Sequence, residues 1–278
     1  MIWHLVSDSA SDLHTLDGGQ DQMDFTTIPF TIRIGGTEYI DNEDIPVAKM
    51  IEANETHAEI AQTACPSPEA WREKFSAPGP VIAFTISSAL SGSYNSACTA
   101  KDMILEEEPD RQIAVIDTKA TGPEEAMLVW KARDLILEGR AFEEIKKELY
   151  RTAERIHTSF ALASYHNLIK NGRVSRLKGF IAGHLGFWGI GIGDDKGEIA
   201  IRGKARGTKS MIRFLTEEIQ KIGLAGDRIV ISHCMNEKGA LALKESLQAA
   251  FSGIKVHIMP ARGLDSFYAE RSGLIVGY

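Results

Sequence analysis

Pro80-Val-Ile-Ala-Phe-Thr-Ile-Ser87-Ser88-Ala-Leu-Ser91-Gly92-Ser93-Tyr94-Asn95-Ser96-Ala97 is an apolar run that ends in hydroxyls around one glycine. The apolar half, Pro80 to Ile86, reads as a buried strand, and a helical pattern (Ala97, Cys98, Ala100, Met103, Ile104) follows at once. A strand that becomes a helix through small polar residues leaves backbone N–H groups unpaired at the helix start. Those donors, the neighbouring hydroxyls and the positive end of the helix dipole favour an anion. The alternative is that Ser91 or Ser93 only caps the helix, as serine does well. Five serines within ten residues keep the anion site in contention with the cap.

Outward from this unit, short apolar runs alternate with helical patterns. Strands are expected at Ile2–Val6, Thr27–Ile34, Thr37–Ile40, Pro80–Ile86 and Gln112–Asp117, with Gly35-Gly36 as a hairpin turn. Helices are expected at Val47–Glu55, Ser67–Phe75, Gly92–Glu107, Glu124–Leu137 and Phe142–Glu154. Alternation of this kind predicts an α/β fold with a mostly parallel sheet flanked by helices. Ligands of such sheets sit beyond the carboxyl ends of the strands. Ser7-Asp8-Ser9, Ser87–Ser93 and Asp117-Thr118-Lys119 fall at three such ends.

From His157 the pattern changes. Strands are expected at His157–Ser164, Gly189–Gly193, Glu198–Arg202, Arg228–Met235 and Lys255–Met259, with a turn at Asp194-Asp195-Lys196-Gly197. Helices are expected at Lys209–Ile222, Lys238–Phe251 and Ser266–Arg271. The expectation is therefore an N-terminal α/β domain over residues 1–157 and an α+β domain over 158–278 that closes over a ligand.

Composition narrows the classes. The chain has 278 residues, 25% of them charged and 44% apolar, as in an ordinary soluble protein. A net charge of −7 argues against nucleic acid as a partner. The three cysteines, Cys65, Cys98 and Cys234, lie far apart, which fits reduced thiols in the cytoplasm and not a disulfide framework. Met1–Asp8 lacks the basic start and long apolar core of a secretory signal. Phe180–Gly193 is too short and glycine-rich for a membrane span, so no stable membrane insertion is expected.

Familiar catalytic patterns fail on context. Gly189-Ile-Gly191-Ile-Gly193 lacks the strand–loop–helix setting of a nucleotide loop. Ser175-Arg-Leu-Lys178 matches S-x-x-K without its companion motifs. The eight histidines form no metal-binding spacing, so neither a metal nor a cofactor is expected. Asp8, Asp12 and Asp117 are candidates for acid–base work, though acids at loop starts more often cap backbone N–H groups. The basic string Arg173, Arg176, Lys178, Arg202, Lys204, Arg206, Lys209 and Arg213 reads mainly as solvated surface, with a docking patch as the other reading.

Six segments, taken in order, carry a family likeness. They are Val6–Leu13, Thr63-Ala-Cys-Pro66-Ser67-Pro68, Ile86–Ala97, Val115-Ile-Asp117-Thr-Lys119, Asn171-Gly172-Arg173-Val-Ser175 and Lys204-Ala-Arg206. Together they resemble the bacterial DegV family of fatty-acid-binding proteins, and the serine motif is the specific part. The resemblance implies two domains that bury one long-chain fatty acid, with its carboxylate held by Thr63 and Ser91. The N–H groups near Gly92 and Ser93 supplement them, and Ser88 and Arg173 are supporting candidates. It further implies a non-catalytic carrier that presents the carboxylate to a separate fatty-acid kinase subunit, which makes acyl-phosphate from ATP. The chain departs from the family at Ala64 and Cys65, which replace a Ser-Gln pair, and at Leu185–Ile190. It also lacks the family's C-terminal histidine. Ser266, Tyr268 and Arg271 are the alternatives in its place. The rival reading is an enzyme for a phosphorylated or carboxylated metabolite at the same rim, using Asp8, Asp117 and Lys119. A pure interaction module is the third.

Overall fold

The computed structural model describes residues 2–57, 60–174 and 186–278. The parallel alternation of the first half builds a four-stranded sheet in the order β2-β1-β6-β7, formed by β1 (Trp3–Asp8), β2 (Met23–Ile28), β6 (Val81–Thr85) and β7 (Ile113–Asp117). All of its pairings are parallel. Every residue of β6 is buried, as a strand covered on both faces requires. A three-stranded antiparallel sheet, β4-β3-β5, comprises β3 (Thr31–Ile34), β4 (Thr37–Ile40) and β5 (Gln62–Ala64). Gly35 and Gly36 close the β3–β4 hairpin at φ +53° and +80°, a two-residue turn that excludes most side chains.

One expected strand divides in two. Thr27–Ile34 is broken at Pro29-Phe30, so Thr27 and Ile28 stay in the parallel sheet while Thr31–Ile34 starts the small one. Pro29 has no N–H for a ladder, and the Phe30 N–H donates to Ser9 Oγ at 3.0 Å. The Phe30 ring then packs with Ile86 and Leu264.

The second half forms a six-stranded mixed sheet in the order β10-β9-β8-β13-β11-β12. Its strands are β8 (Thr158–Leu162), β9 (Phe187–Gly193), β10 (Ile199–Arg206), β11 (Arg228–His233), β12 (Lys255–Pro260) and β13 (Leu274–Gly277). Sequence periodicity missed β13, a run of four residues whose partners β8 and β11 are remote in the chain. Its burial at every position makes it a central strand.

The helices are α1 (Val47–Thr56), α2 (Pro68–Phe75), α3 (Ser93–Glu107), α4 (Pro123–Leu137), α5 (Phe142–Ala153), α6 (His166–Lys170), α7 (Thr208–Ile222), α8 (Glu237–Ala250) and α9 (Gly263–Ala269). The last helix begins earlier and ends sooner than the expected Ser266–Arg271. Helix α4 lies between the two large sheets, and its buried Leu128, Val129 and Ala132 share one core with Ile82, Phe84 and Val230. Among the described residues no helix is long and apolar enough to cross a membrane. Ser175–Lys178, including Arg176, and the first part of Phe180–Gly193, including Leu185, lie outside the described residues.

Candidate functional site

The serines of the β6–α3 turn divide their work, and only the tertiary structure shows how. Ser87 Oγ donates to Gly197 O at 2.8 Å, tying the turn to the β9–β10 hairpin. Ser88 donates its hydroxyl and its N–H to Asp117 at the end of β7. Ser93 is buried, and its hydroxyl donates to Asp8 Oδ2 at 2.6 Å. Ser91 differs. Its Oγ accepts the Ser93 N–H at 3.3 Å, which leaves its own proton to donate elsewhere. The N-cap of α3 is Gly92, with no side-chain cap of its own, so neither serine is the N-cap; Ser91, one residue before it, holds only the Ser93 N–H.

Asp8 anchors this turn from the neighbouring strand. Its Oδ2 also accepts the Ile86 N–H at 3.1 Å and its Oδ1 the Ala10 N–H at 3.2 Å. Burial pushes its carboxyl up to about 7, against the opposing pull of Ser93, Ile86 and Ala10. Asp117 holds the Lys119 N–H as well as Ser88. Two of the three acids considered for catalysis, Asp8 and Asp117, are therefore engaged as anchors of the loops. The rival constellation is not assembled: of Asp8, Asp117 and Lys119, only Lys119 lines the adjacent cavity.

That cavity, counted together with the open solvent at its mouth, holds about 810 Å³ of space not filled by atoms. Its wall is apolar: Phe30, Ile86 and Leu90 come from the first half, Phe160, Leu162, Ile199 and Ile275 from the six-stranded sheet, and Leu264 from α9. Thr63, Ser91, Arg173 and Tyr268 line it too. Thr63 Oγ1 and the Tyr268 hydroxyl lie 2.8 Å apart, joining β5 to α9. Burial raises the Tyr268 phenol against the pull of Thr63 and of the Arg173 charge, so it remains a proton donor. Arg173 donates Nε to Leu90 O at 3.1 Å and a further N–H to Asn171 O, which fixes its guanidinium beside the serine turn.

Other predicted residues are placed away from this group. Gly92, Ser93 and Ser88 do not line the cavity; the hydroxyls of the two serines are held by Asp8 and Asp117. Ser266 donates to Ala261 O inside α9's first turn, and Arg271 makes a two-point surface pair with Glu55 at 2.6 and 2.9 Å. Of the three alternatives for the C-terminal histidine, only Tyr268 reaches the cavity. Cys65 packs against Gly92, where a Cβ would stand 3.4 Å from its Sγ. The described residues of the remaining basic string are mostly surface: Arg202 faces Glu218 at 3.3 Å, Arg213 faces Glu217 at 3.8 Å, and the Arg206 guanidinium covers the Phe187 ring.

Sequence reasoning missed the polar layer beneath the cavity. Asp12 accepts from Ser232 Oγ at 2.6 Å and from the Arg262 N–H at 2.7 Å. Asp41 accepts the Gly263 and Leu264 N–H groups at 2.8 and 2.9 Å. Asp265 lines the cavity, accepts from Thr121 Oγ1 at 2.6 Å, and meets Asp12 across Gly122. Glu125 reaches Asp8 from α4. Arg262 is the buried cation of this layer, donating to Leu13 O, Thr27 Oγ1 and Asp41 O. Burial raises every one of these carboxyls, Asp12 to about 7. Asp8 and Asp12, read from the sequence as acid–base candidates, belong to this layer, and the two acids at the start of the buried helix α4, Glu124 and Glu125, were the further sequence signal available.

Comparison with known proteins gives a consistent set. The family model described as "Uncharacterised protein, DegV family" matches residues 3–269. The DegV domain-containing protein spr0652 of Streptococcus pneumoniae (strain ATCC BAA-255 / R6) is 36% identical over 278 residues, covering 100% of this chain and 99% of its own. The chain is also similar to the crystal structure of the Streptococcus pneumoniae Fatty Acid Kinase (Fak) B3 protein loaded with linoleic acid. That match has a TM-score of 0.96 and 36% identity and covers 100% of this chain and 99% of the other. A DegV family protein from Eubacterium eligens loaded with heptadecanoic acid matches with a TM-score of 0.94 and 34% identity, covering 99% and 98%.

Proposed function

Because this chain belongs to the DegV family, we propose that it binds one long-chain fatty acid in the cavity between its two halves. It presents the carboxylate to a separate fatty-acid kinase subunit and is a carrier, not an enzyme. The observation that carries this reading is the cavity itself: an apolar wall with Thr63, Ser91, Tyr268 and Arg173 on its lining. Burying an acyl chain yields about 0.8 kcal/mol per methylene, so a long tail supplies most of the affinity. The head group needs donors, because an unpaired buried carboxylate is costly. The free proton of Ser91, the Thr63–Tyr268 hydroxyl pair and the Arg173 cation supply charge-assisted bonds. Of the main-chain N–H groups near Gly92 and Ser93, that of Gly92 belongs to the same proposal, while that of Ser93 acts through Ser91 Oγ, which accepts it; Tyr268 takes the role of the family's histidine.

A kinase that uses ATP places the carrier in the cytoplasm, in line with three free cysteines. Residues 1–157 and 158–278 act as the two lobes around the ligand. The first test is native mass spectrometry of the purified chain with added linoleate or heptadecanoate. A single bound acid is expected, and no binding of either would refute the proposal.

Two variants test the details. Ser91→Ala is expected to weaken acid binding by about tenfold or more, the worth of one hydrogen bond to a charged group. Ser252→Ala on the surface is the control, and equal effects would reduce Ser91 to a structural role. Gly191 lies behind the Phe160 ring of the cavity wall, since a Cβ there would collide with Phe160 Cζ and stand 2.8 Å from Ala200 O. Gly191→Ala is expected to drive the Phe160 ring into the cavity and shift preference toward shorter acids. Each lost methylene costs about fourfold in affinity. An unchanged chain-length profile by isothermal calorimetry would show that Phe160 does not bound the tail.

A further inference from the structure

Strand β12 ends the six-stranded sheet and pairs only with β11, in parallel. Lys255 N–H donates to Asp227 O and Ala261 N–H to His233 O, each at 2.9 Å, which turns the backbone of Lys255, His257 and Met259 inward. The pleat then points the N–H and C=O groups of Val256 and Ile258 outward. No described residue bonds to either pair.

An open groove lined by Lys255, Val256, His257, Met259 and Pro260 of β12 is walled on its far side by Trp130 and Arg133 of α4 and by the loop containing His14. Its charge is mostly positive. Arg228 lies over the Trp130 ring at 5.3 Å, and the His257 ring meets the edge of Trp130 at 5.4 Å. Arg133 donates to both Asp134 and Asp17 O, and Lys255 is shared with Asp227, a pair so exposed that it is weak competition for a partner. Asp17 is the exposed acid of the groove, and Asp12 is buried beneath it. Burial, then Arg228 and Lys244, lowers the affinity of His257 for a proton; burial, then Arg262, does so for His14, against Asp41 and Glu43.

We propose that the groove beside β12 receives an extended acidic segment of a partner protein, which adds to the sheet as a further strand. The free carbonyls of Val256 and Ile258 require N–H donors, which a phosphate group does not carry and a peptide does. The free N–H groups accept the same segment's carbonyls, and its carboxylates meet Arg133, Arg228 and Lys255. The opposite edge of this sheet is guarded. Strand β10 carries a register shift between Ile201 and Gly203 and the charges Arg202, Lys204 and Arg206, features that deter strand addition. On β12 the equivalent guards are confined to its two ends, Lys255 and Pro260.

The test uses the full chain with two synthetic peptides, one alternating Glu and Val and one alternating Lys and Val. Hydrogen–deuterium exchange is expected to slow at Val256 and Ile258 with the acidic peptide only. Its affinity should fall as salt rises, since exposed charges are screened. Arg228→Glu should weaken the acidic peptide by about tenfold and admit the basic one. Val256→Pro should abolish protection of Ile258 while circular dichroism reports an unchanged fold. If that variant unfolds, Arg228→Glu decides the matter alone. Absence of protection at these two amides, or equal protection by both peptides, overturns the proposal.

Discussion

The thermal midpoint is expected to fall by roughly 10 °C or more between about pH 5 and about pH 8. Burial raises Asp8 and Asp12 from 3.8 to about 7 and Glu124 from 4.5 to about 8. In this window the folded chain holds protons that the unfolded chain has released. Stability therefore declines as pH rises, being fully present below the ordinary carboxylate range and lost once pH has passed through the raised values. Each group contributes about 1.4 kcal/mol per pH unit, and mutual interaction makes their sum smaller than independent groups would give. The histidines His14, His157, His233 and His257 work the other way below their ordinary value, because partial desolvation lowers them and charging them costs stability in acid. A net loss on the order of 5 kcal/mol remains. Glu124→Gln should flatten the slope, because the amide keeps a partner for Thr158 without titrating. A midpoint that stays level or rises from pH 5 to pH 8 would show that these carboxyls do not bind protons in the folded chain.

Arg262→Met is expected to cost about 3–5 kcal/mol, the usual penalty for removing one member of a buried charge pair. The side chain is nearly inaccessible, and its loss strands Leu13 O and Asp41 O as well as the carboxylates of Asp12 and Asp41. The penalty should be smaller at pH 5 than at pH 8, since protonation relieves carboxylates that have lost their cation. Arg271→Met is the contrast. It breaks a two-point pair with Glu55, but both side chains are more than two-fifths exposed, and such pairs are worth about 1 kcal/mol or less. Denaturant titration of the two variants separates these outcomes, and equal losses would mean that Arg262 does not organise the layer.

Such a layer explains why the loops under the cavity can carry so many polar groups. Asp8 pins both ends of the serine turn, Asp12 reaches β11 through Ser232, and Asp41 caps the start of α9. These acids come from separate elements, and no spacing rule links Asp12 to residue 232 or 262. Sequence reasoning places Asp8 and Asp117 at the sheet rim. Their role as anchors follows the simpler of the two readings available for acids at loop starts.

Local chemistry was legible wherever a few consecutive residues decide the outcome. The strand–turn–helix of Val81–Glu107, the Gly35-Gly36 hairpin, the Asp194–Gly197 turn and the parallel character of the first sheet all follow from short-range patterning. Strand β13 and the division of Thr27–Ile34 did not, because each depends on partners far along the chain. The same boundary runs through the site. A serine-rich helix start can be read as an anion site from its sequence, and family likeness adds Thr63 to it. Which hydroxyl faces the cavity is a tertiary matter: Ser93 is claimed by Asp8, Ser88 by Asp117 and Ser87 by Gly197, while Ser91 alone of these four lines it. Tyr268 reaches Thr63 across 205 positions of chain, a contact that packing of α9 against the small sheet creates and no local rule contains. Propensity and turn geometry act over a few residues, whereas burial and hydrogen-bond satisfaction are settled only when the whole chain has closed on itself.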